Sequence, residues 1–549
     1  MGTRTTTPAN PMIGPDVAIL LLSATVVLLL TATVPQGIYG DPAVQFRALH
    51  QFVAGQSPSL NHVVAPSWTD LAQNHASWIV WWPPGPQLLT YPWHALGLSL
   101  GHSIRLTAAL CLVLGALGWL HWLRQFPLPR PLALTAAAAL PFLHTANATL
   151  FVFGPDVLNF AAAPWLLIIV LSLTTQSSPT RPVPAAWFAA GLALGLTYVL
   201  KYSLIFVAIG ALTFLAITQW RHWRRVALAA MGCAIPVLSL SYLNSHFAGA
   251  VNSASQRLGF YPHWQSLVAL IANPALAAAD ADGLLRFLLL HPNHPLVADD
   301  LAPAYVGLAG GLLILWLLAH ATRVPALRHS PAAQLATTVF AVTLATLATV
   351  WTFSNNAADY MARHVAPASM AILPVVYLSA RDLWHQRGAP TRAILGATAL
   401  VFIVVPAFYG AVSVVGKAHR IPSDYNVGPA AVYNPLLAST NLAGVEQRIR
   451  DAYAPTTDIW YAADAITALD LPGRVIALEN ADFYPLDELR TIQFQTSTPQ
   501  RITLLIPPHF ETDGRGPTIR AEFLGAAPWH HATVPGSNYD VWTTVVAPR

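Results

Sequence analysis

Apolar runs close to the length that crosses a bilayer recur along this chain as far as residue 412, and they decide its class before any other feature is read. A lipid-crossing helix needs about 20 apolar residues, because in hydrocarbon every backbone donor and acceptor must find its partner inside the segment. Runs of this kind lie at roughly 16–35, 103–123, 132–151, 157–175, 185–200, 203–220, 226–244, 303–320, 332–352, 364–380 and 393–412. Charged residues make up only 9% of the 549 and apolar ones 55%, against about 25% charged in an ordinary globular protein. Several soluble domains are thereby excluded, and a polytopic membrane protein is expected. Cys111 and Cys233 both fall inside apolar runs, so neither a disulfide framework nor a thiolate metal site is implied.

The stretch 185–220 is too long for one crossing and barely long enough for two. Charge parity decides between them. Arg181 precedes it, and Arg221, Arg224 and Arg225 follow it. If both clusters face the cytoplasm, an even number of crossings separates them, which two short helices turning near Lys201 provide. Arg124 and Arg130, Arg323 and Arg328, and Arg381, Arg387 and Arg392 then all fall inside. Asp41, Asp156, Lys201, the loop 245–302, the segment 353–363 and everything after Gly410 fall outside. The arginine clusters thus account for the basic pI of about 9.1 without a nucleic-acid partner. The first apolar run lacks a small-x-small cleavage site and reads as an uncleaved span.

After residue 412 the apolar runs stop and charges become denser. Strand-like runs at Arg474 to Leu478, Thr491 to Gln495, Ile502 to Ile506 and Tyr539 to Val546 alternate with an expected helix at 461–470, separated by turn signals such as Leu471-Pro472-Gly473 and Asp513-Gly514. The expected fold is an all-α polytopic membrane bundle of about 11 transmembrane helices over residues 1–412, with a first outer loop at 36–102. A small α/β extracytoplasmic domain follows over 413–549. In the first loop, Asp41-Pro42 reads as a helix N-cap followed by proline. Val44, Ala48, Leu49, Phe52 and Val53 then form one apolar stripe opposite Arg47, His50 and Gln51, which predicts a helix lying in the membrane interface.

Few residues in such a chain carry chemistry, and these stand out. Asp41 and Asp156 open helices on the same outer face. Each satisfies a helix N-terminus in the plainest reading, and each is equally a carboxylate able to take a proton or help hold a divalent cation. Lys201, one of two lysines, falls between two apolar runs, where an ammonium must find an anion or snorkel to the interface beside Tyr198 and Tyr202. Arg363 enters a span from an outer segment and pairs either with a phosphate oxygen or with Asp359, one turn back. Arg257 is a weaker cation of the same kind, and Tyr202, Trp82, His75 and Tyr360 are candidates for lining a cavity. The histidines make no metal site: His62 and His75 are far apart, and His291 and His294 are flanked by prolines. His530-His531 reads as surface. No nucleotide-binding loop, nucleophile elbow or dinucleotide fingerprint is present.

A first span followed by a long outer loop that opens with Gly40-Asp41-Pro42 resembles the GT-C membrane glycosyltransferases. These include the protein O-mannosyltransferases, the aminoarabinose transferases of lipid A and the RgtA/B/C/D-like bacterial group. Asp156 at the head of the fourth span extends the resemblance, as do the glycine-spaced run Gly191 to Tyr202 ending at Lys201 and the outer C-terminal domain. The resemblance implies an inverting transfer of a sugar from a polyprenyl-phosphate donor to an envelope lipid, glycan or protein, at the outer face of a bacterial inner membrane. It implies Asp41 as the acid/base position and Asp156 as a second acidic site. Lys201, Arg363 and Arg257 would meet the donor phosphate. Asp41 has no acidic neighbour, so a divalent cation (Mg or Mn) held by Asp41 and Asp156 is left open. A secondary transporter or lipid-linked-sugar flippase is the rival class, but such proteins show internal repeats and mid-membrane ionisable groups, whereas here the acids gather on one face. A scaffold binding cell-wall polymers leaves Asp41 and Lys201 unexplained.

Overall fold

The computed structural model describes residues 14–175, 184–252, 259–260, 264–278, 302–353, 362–399, 405–420, 430–433, 458–471, 473–478, 485–533 and 539–548. A bundle of helices carries a small sheet domain on one end. The order begins α1 (Pro15–Thr31), β1 (Gln36–Ile38), α2 (Gly40–Val53), β2 (His62–Pro66), β3 (Asn74–Trp78), α3 (Gly85–Ala95), α4 (Leu100–Leu123), α5 (Arg130–Ala139), β4 (Val152–Phe153) and α6 (Val157–Thr175). It continues with α7 (Pro184–Leu200), α8 (Leu204–Thr218), α9 (Trp223–Ala248), α10 (Trp264–Ala278), α11 (Ala302–Ala321), α12 (Pro331–Phe353), α13 (Ala362–Gln386), α14 (Ala389–Ala399) and α15 (Val405–Arg420). Among the described residues four helices are long and apolar enough to cross a membrane: Leu100–Leu123, Val157–Thr174, Trp220–Ala248 and Pro331–Phe353. Shorter apolar helices, including Pro15–Thr31, Pro184–Leu200 and Leu204–Thr218, accompany them. This is an integral membrane protein.

The expected break in the stretch 185–220 is present: α7 ends at Leu200 and α8 starts at Leu204, with Lys201 in the turn. Glycines explain how α7 is held. A Cβ on Gly191 would collide with the Ala229 carbonyl, one on Gly195 with that of Cys233, and one on Gly232 with that of Phe188, so α7 and α9 cross with their backbones in contact. The helix α6 contains Pro164, whose missing N–H strands the Phe160 carbonyl one turn back. Trp119 of α4 supplies the replacement, its indole N–H donating to that carbonyl at 3.0 Å.

Two expectations for the bundle fail for local reasons. The run 132–151 is not one helix: α5 stops at Ala139, and short helical turns carry the chain to Leu150. Pro141 interrupts the ladder there, and the Asn147 amide donates to the Phe142 and Leu143 carbonyls at 2.8 and 2.9 Å. The apolar part of the loop 245–302 forms α10, which packs into the bundle against α11 and α13. A Cβ at Gly311 would strike the Ile271 carbonyl, so α10 and α11 pack with their backbones in contact. The run 393–412 falls on α14 and α15, and α15 continues past residue 412.

Beyond it, β5 (Val432–Tyr433) pairs with β1. The end domain is a five-stranded sheet built from β6 (Asp458–Ala462), β7 (Arg474–Ala477), β8 (Gln500–Ile506), β9 (His530–Thr533) and β10 (Asp540–Val546), in the order β7-β6-β8-β10-β9. The strand β6 is parallel to β7 and β8, and β10 is antiparallel to β8 and β9. A helix expected at 461–470 is instead the end of β6 and a short turn at Thr467–Leu469. The run Asp458-Ile-Trp-Tyr-Ala is buried at every position, which is the mark of a central strand covered on both faces and carries no period-2 signal. Thr491 to Gln495 contributes only an isolated bridge, Phe494 to Phe523. Gly473 and Gly514, at the two turns read from sequence, have φ of 76° and 85°, where only glycine is unstrained. His530 and His531 are exposed on the edge strand β9.

Candidate active site

The site is built where three distant pieces of chain meet in a three-stranded ladder. The strand β1 lies between β4 and β5, parallel to both, with Ile38 opposite Phe153 and Gln36 opposite Val432. Asp41 stands three positions after Ile38, and Asp156 three positions after Phe153. Parallel pairing in this register carries the two acids to equivalent corners, each at the point where a strand gives way to a helix. Nothing in the sequence flagged β1 or β4, which are too short to show alternation.

The ammonium of Lys201 reaches the Asp156 carboxylate at 3.0 Å, and the Arg363 guanidinium lies 3.7 Å from its other oxygen. The side chains of Lys201 and Asp156 are 11% and 21% exposed. Burial by itself would raise the Asp156 carboxyl, but Lys201 and then Arg363 outweigh it and hold the group well below the usual carboxylate range. Asp156 is therefore a fixed anion. Asp41 is close enough to contribute to the field at Lys201, and Tyr39 feels both Asp156 and Arg363. His364, next to Arg363 on α13, also lies in the reach of Asp156 and Lys201. Sequence reasoning passed over Tyr39 and His364; their positions beside Asp41 and Arg363 were the only signals.

The turn that presents Lys201 is braced on all sides. Asn159, in the first turn of α6, exchanges hydrogen bonds with the Ser203 hydroxyl at 3.1 and 3.2 Å. The Tyr202 hydroxyl donates to the Val80 carbonyl at 3.1 Å and accepts from the Asn244 amide at 2.9 Å, while the Trp78 indole donates to Asn244 at 2.8 Å. Gly85 sits so close to the backbone of Leu200 that no Cβ would fit. Trp82, half-buried, belongs to the segment between Val80 and Gly85 that covers this turn.

Several readings change. Asp41 is not the N-cap of α2: Tyr39 occupies that place, Asp41 lies in the first turn, and no side chain makes a capping hydrogen bond. Lys201 neither snorkels nor waits alone, since Asp156 neutralises it. Arg363 pairs with Asp156; Asp359 lies outside the described residues, as do Tyr360, Arg257, His291 and His294. His75 is exposed on β3, opposite Ala65 of β2, and among the described contacts makes no ion pair with Asp41, Asp156, Lys201 or Arg363. The polar side of α2 does not face water: Gln45, Arg47 and Gln51 are buried and hydrogen-bonded to backbone carbonyls, whereas Val53 is 38% exposed.

A divalent cation between Asp41 and Asp156 fits these residues poorly, because Lys201 and Arg363 already compensate Asp156. Among the described residues no group of three or more His, Cys, Asp or Glu side chains is arranged to hold a metal.

Comparisons with known proteins agree with this architecture. Residues 82–242 match the family model described as dolichyl-phosphate-mannose-protein mannosyltransferase. No curated protein sequence matches. Among solved structures, the chain is similar to ArnT from Cupriavidus metallidurans in the apo state, at 14% identity over 97% of this chain and 99% of that one, with a TM-score of 0.52. The same protein bound to undecaprenyl phosphate gives 15% identity over 97% and 98%, with a TM-score of 0.49. The oligosaccharyltransferase of Archaeoglobus fulgidus, tethered with an acceptor peptide, gives 13% identity over 96% of this chain and 74% of that one, with a TM-score of 0.48. The chain thus shares the overall fold of ArnT across nearly its whole length, and residues 82–242 resemble the mannosyltransferase family model.

Proposed function

We propose that this protein transfers a sugar from a polyprenyl-phosphate-linked donor to an envelope lipid, glycan or protein, with inversion, on the membrane face that carries the C-terminal domain. The observation that carries the reading is the convergence of Asp41, Asp156, Lys201 and Arg363 from four separate elements at that end of the bundle. A donor whose leaving group is a lipid phosphate needs cations at the membrane boundary, and here two are held by one fixed carboxylate. In the displacement, an acceptor oxygen attacks the anomeric carbon as the bond from that carbon to the phosphate oxygen breaks. Asp41, uncapped, takes the acceptor's proton. The departing phosphate keeps the bonding electron pair, and Lys201 and Arg363 meet the charge that develops on it. Asp156 orients both cations and takes no proton. Undecaprenyl phosphate in the ArnT structure is a ligand of the same chemical class as this donor.

In this reading the protein sits in a bacterial inner membrane with eleven spans, the N-terminus cytoplasmic and the C-terminal domain periplasmic, the two parts dividing near residue 412. The test is sugar transfer in proteoliposomes from a polyprenyl-phosphate sugar, with envelope glycolipids of cells with and without the gene compared by mass spectrometry to name the acceptor. Asp41→Asn is expected to abolish transfer in a folded protein. Full transfer by that variant, or altered uptake without any transfer by the parent chain, overturns the proposal.

A further inference from the structure

The first loop and the C-terminal sheet are joined by contacts that the displacement itself does not use. Arg47, on α2 and 5% exposed, donates to the Val475 carbonyl of β7 and to the Val64 carbonyl of β2, the latter at 3.4 Å. Gln51, one turn further along, donates to the same Val64 carbonyl at 2.7 Å and accepts from the Val64 N–H at 2.8 Å. Past β2, Leu71 inserts its side chain into the core of the end domain, and its N–H donates to the Gln495 carbonyl at 2.7 Å. The Asp70 carboxylate accepts from the Ser497 N–H and hydroxyl at 2.8 and 2.7 Å. Arg474, at the start of β7, donates to the carbonyls of Leu71 and Gln73 and to the Asn74 side chain.

Arg47 is the unusual member. Its guanidinium is buried against backbone carbonyls, and burial brings it down to about 10. A buried cation of this kind costs stability relative to an apolar side chain of similar volume, so its use lies in the geometry it enforces. Arg47 and Asp41 are six positions apart on one helix, about 9 Å of rise. Whatever fixes Arg47 therefore fixes the corner that carries Asp41.

We propose that Arg47 is a positioning residue through which the C-terminal domain seats α2 and so sets where the Asp41 carboxylate stands relative to Asp156 and Lys201. This rests on the transferase reading above, and it gives the C-terminal domain a part in catalysis without contact to substrate. Displacing a catalytic group by about 1 Å costs on the order of 100-fold in rate. Arg47→Met in the full-length protein is expected to lower kcat by about 10- to 100-fold while leaving KM for the donor unchanged, because the donor-facing cations are on other elements. Hydrogen–deuterium exchange over residues 40–53 should quicken, and Arg47→Lys should restore part of the loss.

A folded Arg47→Met protein with wild-type kcat overturns the inference, as does a loss confined to KM. Should Arg47→Met fail to fold, Arg474→Gln loosens the same seam from the domain side. It is expected to quicken exchange over 40–53 and lower kcat alone, and wild-type kcat with quickened exchange rejects the role. Asp41→Asn run in parallel separates the two layers. Absence of sugar transfer by the parent chain removes the transferase reading, turnover retained by Asp41→Asn removes Asp41 as its base and the positioning role with it, and an inert Asp41→Asn beside a fully active Arg47→Met removes only the positioning role.

Discussion

The corner β1 to α2 and the corner β4 to α6 are alike: a short strand in one parallel ladder leads into a helix through a glycine, an acid and a proline, which lie in the first turn of α2 but ahead of α6. Their acids have different fates. Asp156 is mostly buried between Lys201 and Arg363, which hold it ionised. Asp41, half-exposed, makes no capping hydrogen bond and stands beside the same ammonium without being claimed by it. The local motif is shared, and the surroundings separate the two: one carboxylate is paired with the cations, and the other, which exchanges the proton in the proposed reaction, stands beside them. Both corners were read as helix caps with equal weight, and only the neighbours contributed by α7, α8 and α13 tell them apart.

The comparison breaks most visibly in rates. Asp41→Asn is expected to cost about 10²- to 10⁴-fold in kcat, the usual share of a general base, with melting in detergent unchanged. If Asp156→Asn shows that pattern and Asp41→Asn does not, the roles are reversed. Next in size is stability. Asp156→Asn leaves two cations short of their anion, and removing one partner of a buried pair costs about 3–5 kcal/mol; partial exposure of Asp156 brings the expectation toward the lower end. A drop in melting temperature, together with weaker donor binding, checks it.

The sign of the pH effect follows from the same difference. The folded value of Asp156 is lowered, so the unfolded chain takes up the proton first as the solution is acidified, and stability falls with falling pH. The contribution of the pair is fully present above about pH 4 and is lost as pH falls toward the depressed folded value. Melting measured from neutral pH down to pH 3 should show this slope, and Asp156→Asn should flatten it. The smallest effect is expected at an ion pair without such burial. Arg124 grips Asp16 at 2.6 and 2.8 Å, but its side chain is 40% exposed. Arg124→Gln should shift stability by less than about 1 kcal/mol; a loss as large as that of Asp156→Asn would show that burial is not what separates the pairs.

Much of the bundle was legible because hydropathy works over 20 residues at a time. The break at Lys201 came from charge parity across a stretch that no single helix explains, and α7 and α8 meet there. The failures are short-range. Pro141 ends a helix inside an apolar run, and β6 was taken for helix because a strand buried on both faces has no period to read. The burial of Arg47, Gln45 and Gln51 was invisible for another reason: an amphipathic stripe shows which side of a helix is polar but not whether water or another domain lies against it.

What the sequence determined alone was therefore the solvent: composition and run length put this chain in a bilayer, and the rarity of charge inside it singled out Asp41, Asp156, Lys201 and Arg363. What tertiary structure decided was which of them pair. That rests on a two-residue ladder pairing chain segments more than a hundred positions apart, and on which carboxylate Lys201 and Arg363 reach first. Distances of that kind depend on how the helices pack, and no local pattern of residues encodes them.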